Sequence, residues 1–368
     1  MLSGGRYLRL VATALIILML CGTAVFSDDL KTTLDISTIG MGARPIGLGG
    51  AYAGLADDAS AIFINPAGLG LQNRISFVSM STQVMTFVDY QVAGLVYPTE
   101  WGVFGVGYIG ATSPAGNYTY MSGTTTVEEG SISYANQLFI FSYGYDLTDQ
   151  MGGELYAFEG QTARLSLGAD IKYLSQGFSG ALRDAPNASG FDADLGVMYS
   201  PASYLTFGAV MQNMYRGKEG ESITWTTDEK ETLPTTYKLG VSYLVLDNVT
   251  LLLDSDIPAR NEQKIAFHAG TEWRVMPMLT LRIGADQREE SVTDTNPETQ
   301  LVARYTLGVG LSFAGFRFDY AYKQDPVFNE LSTNYFSLCY IGNPFEKAKK
   351  VEESPLSTDY EKLMNKSE

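Results

Sequence analysis

Cysteine is nearly absent. Only Cys21 and Cys339 occur in 368 residues; the first lies in a segment expected to be removed, so no disulfide framework is available. His268 is the single histidine, and without a Cys/His cluster there is no transition-metal site to expect. Charge is sparse and unbalanced: 18% of residues are charged, with 41 Asp+Glu against 25 Lys+Arg. That excess of acid argues against nucleic acid as a partner, because phosphate contacts need clustered cations. Beyond the N-terminus no apolar run approaches the roughly 20 residues of a spanning helix. No Pro/Ser-rich linker or charge block divides the chain into two soluble domains.

At the N-terminus, Arg6 and Arg9 precede an apolar run from Leu10 to Leu20, and Val25-Phe26-Ser27 suits a signal peptidase. Residues 1–27 therefore read as a signal peptide, with the mature chain beginning near Asp28. Gly22 and Thr23 interrupt the run, which disfavours a transmembrane anchor. Leu20 before Cys21 is bulky where a lipoprotein signal has a small residue, so ordinary cleavage is expected over lipidation. What is abundant is apolar and aromatic: 45% hydrophobic, 12% aromatic, 38 Gly and 23 Tyr. Alternating strands with one face in lipid have this composition.

From Arg74 onward the alternation is explicit. Leu279, Leu281, Ile283 and Ala285 interleave with Thr280, Arg282, Gly284 and Asp286; Phe316, Phe318, Tyr320 and Tyr322 interleave with Arg317, Asp319, Ala321 and Lys323. A period of two puts each set on its own face of a sheet. A soluble sandwich cannot bury rows of Arg, Asp and Lys, whereas a wetted or plugged lumen can hold them, so the apolar face is the outer one.

Fourteen such segments are readable: 74–82, 86–97, 101–112, 131–146, 162–177, 188–200, 203–214, 234–246, 248–257, 262–274, 277–288, 300–313, 315–324 and 331–341. An even count closes an antiparallel transmembrane β-barrel with both termini on one side. Tight connections at Pro98-Thr99-Glu100, Pro201-Ala202, Asp247, Met276-Pro277 and Ala314 alternate with long ones at 112–130, 178–187, 215–233 and 289–299. Short turns opposite long loops are the outer-membrane pattern. The long connection Leu147 to Gln161 breaks it. Tyr97, Trp101, Tyr199, Tyr204, Trp273 and Tyr340, near strand ends, suit interfacial belts. Residues 342–368 lose the alternation and read as a polar periplasmic tail, with Tyr360-Glu361-Lys362-Leu363 as a possible partner-binding stretch.

The chain is organised around Gly40 to Gly70, GMGARPIGLGGAYAGLADDASAIFINPAGLG. This run is too Gly-rich for a regular element and too apolar for an exposed linker, so something must surround it. Asp57-Asp58-Ala59-Ser60 suits the cap of a short helix ending near Phe63. The run DDASAIFINPAGLG, with GLGGAYAG before it, resembles the N-terminal hatch of the FadL-type outer-membrane transporters of long-chain fatty acids. It is especially similar to the branch of the PorV and PorQ proteins and the spirochaete FadL-like paralogues. The resemblance implies an all-β transmembrane barrel of about 14 strands in the outer membrane of a diderm bacterium, with a hatch at residues 28–73 inside the barrel 74–341. It also implies uptake of long-chain fatty acids or other hydrophobic molecules, gated by Asp57, Asp58, Asn65, Pro66, Ala67 and Gly68. The PorV branch implies a different role, as a scaffold for secretion or surface attachment of other proteins, with a periplasmic or secreted protein partner at the tail or loops. Membrane lipid is a partner in either case, and no cofactor is implied.

Candidate ligand contacts lie on the inner wall. Arg282, Arg304 and Arg317 face inward on three successive segments and are able to converge on an anion such as a fatty-acid carboxylate. The simpler expectation is that they pair with hatch carboxylates Asp57 or Asp58, or with wall carboxylates Asp286 and Asp319. Leu138 and Ile140, with Leu244 and Leu246, are expected to add inward apolar surface. Gly105 and Gly107 suggest a bulge for lateral opening, since glycine weakens pairing there. An enzyme is not expected. His268 lacks a serine or carboxylate at catalytic spacing and reads as a lumen hydrogen-bonding residue. Thr293-Asp294-Thr295-Asn296 is interrupted by Pro297 and is no calcium loop, and Gly102–Gly110 lacks the context and lysine of a phosphate loop.

Overall fold

The computed structural model describes residues 31–32, 35–84, 87–148, 163–181, 184–215, 217–218, 220–259, 264–293, 296–325 and 332–345. Residues 1–27, expected to be a signal peptide, the tail from residue 346 including Tyr360 to Leu363, and most of the Leu147 to Gln161 connection lie outside the described residues.

Among the described residues eighteen strands are formed: β1 (Lys31–Thr32), β2 (Arg74–Val84), β3 (Val88–Thr99), β4 (Gly102–Thr112), β5 (Gly116–Ser122), β6 (Thr125–Asp146), β7 (Arg164–Gly180), β8 (Asn187–Ala202), β9 (Leu205–Gln212), β10 (Ile223–Trp225), β11 (Lys230–Thr232), β12 (Thr236–Leu246), β13 (Val249–Pro258), β14 (Ala266–Met276), β15 (Leu279–Thr293), β16 (Asn296–Phe313), β17 (Phe316–Lys323) and β18 (Thr333–Pro344). Fourteen of them make a closed antiparallel barrel, because β18 pairs with β2 and β9 pairs with β12. Closure leaves no strand edge for lipid to contact. Each of the fourteen segments read from the alternation is one of these strands.

Side-chain exposure follows the expected faces. Ile283 is 58% exposed and Arg282 only 5%; Phe318 is 58% exposed and Asp319 only 3%. Leu95, Val106, Phe141, Ile171, Phe191, Leu253, Phe267 and Phe336 extend the apolar exterior around the barrel. Leaving one such side chain in water forgoes roughly 1.5–3 kcal/mol relative to burial, so a belt of them is stable only against hydrocarbon. This is a transmembrane barrel of the outer-membrane type. No helix among the described residues is long and apolar enough to cross a membrane.

The tight connections are as expected. Ala314 and Gly315 carry φ 51° and 83°, the two positive values of a two-residue hairpin turn that matches strand twist. Aromatics mark this end: the Phe316 and Tyr340 rings are 4.9 Å apart, and Tyr143 donates its hydroxyl to the Trp101 carbonyl at 2.6 Å. Three expected loops prove more regular than the sequence suggests. Residues 112–130 contain β5 and the start of β6; 215–233 contain β10 and β11; 289–293 and 296–299 continue β15 and β16. Past the barrel rim both faces of a hairpin meet water, so the backbone pairs on without the apolar alternation that marks a strand in sequence.

Residues 35–73 run inside the barrel. Three short helices, α1 (Ala43–Gly47), α2 (Ala61–Ile64) and α3 (Ala67–Gly70), are buried throughout. Asp58 Oδ1 accepts from Ser60 N at 2.9 Å just before α2, close to the expected cap.

Candidate functional site

The inner segment approaches the wall so closely that wall side chains are missing where it touches. A Cβ on Gly284 of β15 would stand 2.2 Å from Gly49 N, and one on Gly168 of β7 would stand 2.1 Å from Pro66 C. Gly49 also has φ +67°, a value that L residues rarely adopt. Backbone thus packs on backbone, and the contact is completed by wall groups that satisfy the segment's peptide bonds. Asp254 Oδ2 accepts from both Tyr52 N and Ala53 N at 2.7 Å, Thr306 Oγ1 accepts from Gly49 N at 3.1 Å, and Ser166 Oγ donates to Ala67 O at 2.6 Å.

Asn65, fully buried, closes the segment on itself: Nδ2 donates to Ala53 O at 2.8 Å and Oδ1 accepts from Ala67 N at 3.1 Å. Pro66 then begins α3. The first bond closes the excursion from Ala53 to Asn65 and the second forms a local turn into α3, which explains an Asn-Pro-Ala-Gly stretch.

An ionic cluster ties the segment to one side of the wall. Arg44 meets Glu272 of β14 through Nε and Nη2, both at 2.9 Å, and also contacts Asp57 and Asp58. Arg282 bridges Glu272 at 2.7 Å and Asp319 at 2.8 Å; Arg317 bridges Asp319 at 2.7 Å and Asp58 at 2.5 Å. Arg304 sits apart, sharing Asp286 with Lys323. The three wall arginines therefore engage protein carboxylates, and they do not converge on one point. Burial by itself raises the pKa of Asp58, but Arg317 and Arg44 outweigh it and hold the carboxyl below its ordinary range.

Another part of the inner wall is apolar. Val78 and Met80 of β2, Val92 of β3, Ile109 of β4, Leu138 and Ile140 of β6 and Leu174 of β7 form one buried cluster with Ile62, Phe63 and Leu69. Leu138 and Ile140 are inward as expected. Leu244 and Leu246 are not part of this surface: they are 37% and 61% exposed, on either side of a register shift at the end of β12. The bulge expected at Gly105 and Gly107 is also absent, because β4 pairs with β3 and β6 without a register shift. These glycines instead make room for the inner segment: a Cβ on Gly107 would stand 2.7 Å from both Ile62 Cγ2 and Phe63 Cε1.

His268 lies on the lumen side, Nδ1 donating to Gly49 O at 2.9 Å, with Asp256 3.4 Å from Nε2. Sequence reasoning missed Arg44 and Glu272. The available signal was a cation inside an apolar Gly/Pro run, which must find carboxylates if the run is buried. Among the described residues no group of three or more His, Cys, Asp or Glu side chains is placed to hold a metal ion.

No family model and no curated protein matches the sequence. Solved structures do match the fold. The CymD monoaromatic hydrocarbon channel aligns with TM-score 0.54 at 14% identity, over 84% of this chain and 98% of its own. The P. putida toluene transporter TodX gives 0.52 at 13%, over 84% and 99%. The Ralstonia pickettii toluene transporter TbuX gives 0.51 at 15%, over 83% and 98%.

Proposed function

From a fold shared with the FadL-type outer-membrane hydrocarbon transporters, we propose that this chain is an outer-membrane channel for small hydrophobic molecules, with residues 35–73 as its hatch. The observation that carries this reading is the division of the lumen. One part of the wall, on β2, β3, β4 and the Leu138, Ile140 and Leu174 positions of β6 and β7, carries an apolar cluster packed on Ile62, Phe63 and Leu69; elsewhere β14, β15 and β17 anchor the inner segment by ion pairs. A cargo without charge gains by moving along the first, and release of the second opens the way.

Neutral cargo fits better than long-chain fatty acids. Arg282, Arg304 and Arg317 already hold carboxylates at salt-bridge distance, so an acid head group must displace a buried ion pair to bind there. The similar structures are toluene transporters and a monoaromatic hydrocarbon channel, which handle the same chemical class. Gating is assigned to the Asn65-Pro66 turn and the Asp57-Asp58 pair, which hold the segment closed and docked.

The test is uptake of a radiolabelled neutral hydrocarbon and a radiolabelled long-chain fatty acid by cells expressing the protein. Replacing Asn65-Pro66 with Ala-Ala is expected to change hydrocarbon uptake at equal surface level. Unchanged transport removes the hatch from the mechanism, and fatty acid carried in preference to hydrocarbon overturns the assignment of cargo.

A further inference from the structure

The outer face of the barrel carries a groove. Its volume is about 990 Å³, and it crosses seven strands, β8, β9 and β12 to β16, along two cross-strand rows whose side chains point away from the lumen. Tyr199 on β8 and Tyr305 on β16 close its ends. Leu253, Phe267 and Tyr305 stand up along it, 63%, 57% and 61% exposed, whereas Ala209 points outward too and is only 6% exposed. Ala269, Ala285 and Ala303 continue this low ground.

The hollow backs onto the docked inner segment. Between the two outward rows runs an inward one, Gly208, Gly240, Asp254, His268 and Asp286; with its side chains turned to the lumen, it contributes backbone to the floor of the groove. Residues 49–54 dock on the lumen side of that row. A Cβ on Gly208 would stand 2.0 Å from Ala53 O and one on Gly240 2.7 Å from Gly54 N. Asp254 accepts from Tyr52 N and Ala53 N, and His268 donates to Gly49 O. The wall is a single layer of strands, so drawing it toward the segment hollows it on the outside.

A hollow on this face is filled from the membrane. Atoms around an unfilled groove forfeit dispersion contacts, and the surrounding belt of exposed apolar side chains meets hydrocarbon. The two outward rows contain no charged residue, which suits hydrocarbon chains and offers a charged head group nothing. A second copy of the chain does not fill the groove, because an isologous pair sets groove against groove. We propose that the acyl chains of one membrane phospholipid lie in this groove, against the back of the row that docks residues 49–54. Their packing braces the wall at the dock. The assignment rests on the lipid-facing exterior and stands whatever the channel carries.

Native mass spectrometry of the full barrel, reconstituted with phosphatidylethanolamine and phosphatidylglycerol and then released into detergent, tests it. The expected result is one phospholipid retained per chain after washing that strips the remaining lipid, with either head group, and a melting temperature that rises when phospholipid is added back. Ala269 and Ala285 are cross-strand neighbours within the groove. Ala269→Phe combined with Ala285→Phe fills it, lowers retention roughly tenfold, about 1.4 kcal/mol, and removes the thermal effect. Ala93→Phe, on the outer face of β3 away from the groove, leaves both unchanged. Each variant is compared with the heat-modifiable band of a folded barrel retained. Should the double variant not fold, Ala303→Phe carries the comparison. No retained lipid, retention that filling the groove does not lower, or a wild-type mass of two chains overturns the proposal.

Discussion

Arg44 of the inner segment and Glu272 of β14 meet fork to fork, Nε to Oε2 and Nη2 to Oε1, both at 2.9 Å across 228 residues of sequence. Two parallel bonds fix direction as well as distance, which a point charge does not. Both side chains are nearly buried, at 8% and 12% exposure, so this contact anchors the inner segment to the wall.

Replacing Arg44 by Ala is expected to weaken docking by about 3–5 kcal/mol, since Glu272 and Asp58 lose a buried partner. In planar bilayers the variant should show larger and noisier conductance, and limited proteolysis should cut within residues 35–73 while the barrel stays intact. Arg44→Lys should restore the charge without the fork and recover only part of the effect. Conductance and proteolysis like the wild type in Arg44→Ala would show that the ion pairs do not hold the segment.

Packing of backbone on backbone gives a second expectation. Gly284→Ala places a methyl 2.2 Å from Gly49 N, whereas a Cβ at Gly116 on the β5 hairpin meets nothing within 4 Å. The first substitution should expel or shift the inner segment and the second should leave protease resistance unchanged. Equal resistance in both would mean that the close approach is relieved at little cost.

Acid should loosen the anchor only at extreme pH. Burial raises Asp58, but Arg317 and Arg44 hold it below its ordinary value of 3.8, so its contribution is complete above 3.8 and is lost as pH falls through the lowered value. No conductance change that depends on the Arg44 network, read as one abolished by Arg44→Ala, is expected from pH 8 to pH 4. In Arg317→Ala, burial is opposed only by Arg44 and the hydrogen bond from Ser60 N, and conductance should begin to rise at a higher pH than in the wild type. A wild-type transition between pH 8 and pH 4 that Arg44→Ala abolishes would place the controlling titration at another group.

The two parts of the inner wall should respond differently to substitution. Leu138→Gln puts an unpartnered amide into the apolar surface, a cost of about 1–3 kcal/mol for each hydrogen-bonding group left unmade. Uptake of a neutral hydrocarbon should fall several-fold at equal surface level. Arg304→Gln, outside both the apolar cluster and the Arg44 network, should change it little. The reverse order of sensitivity would move the path of the cargo to the ionic part.

Much of this architecture was legible in one dimension. The period of two in Leu279 to Asp286 and Phe316 to Lys323 specified strands. The charge on the inner set then settled which face met lipid, because Arg282 and Asp319 have no stable place in hydrocarbon. The inward placement of Leu138 and Ile140 followed from the same parity. The pairing of Arg282, Arg304 and Arg317 with carboxylates was foreseeable because a buried charge needs a partner.

Which partner it finds is a matter of three-dimensional register. Glu272 and the Asp254 contacts to Tyr52 and Ala53 depend on how residues far apart in sequence line up around a closed cylinder. The role of Gly105 and Gly107 was misread for the same reason: a glycine in a strand marks weak pairing or a close neighbour, and only the position of Ile62 and Phe63 distinguishes the two. Alternation is local, carried by each strand's own pleat, and so the sequence alone determined the barrel and its faces. Contact between wall and inner segment is not local, and the tertiary structure alone decided it.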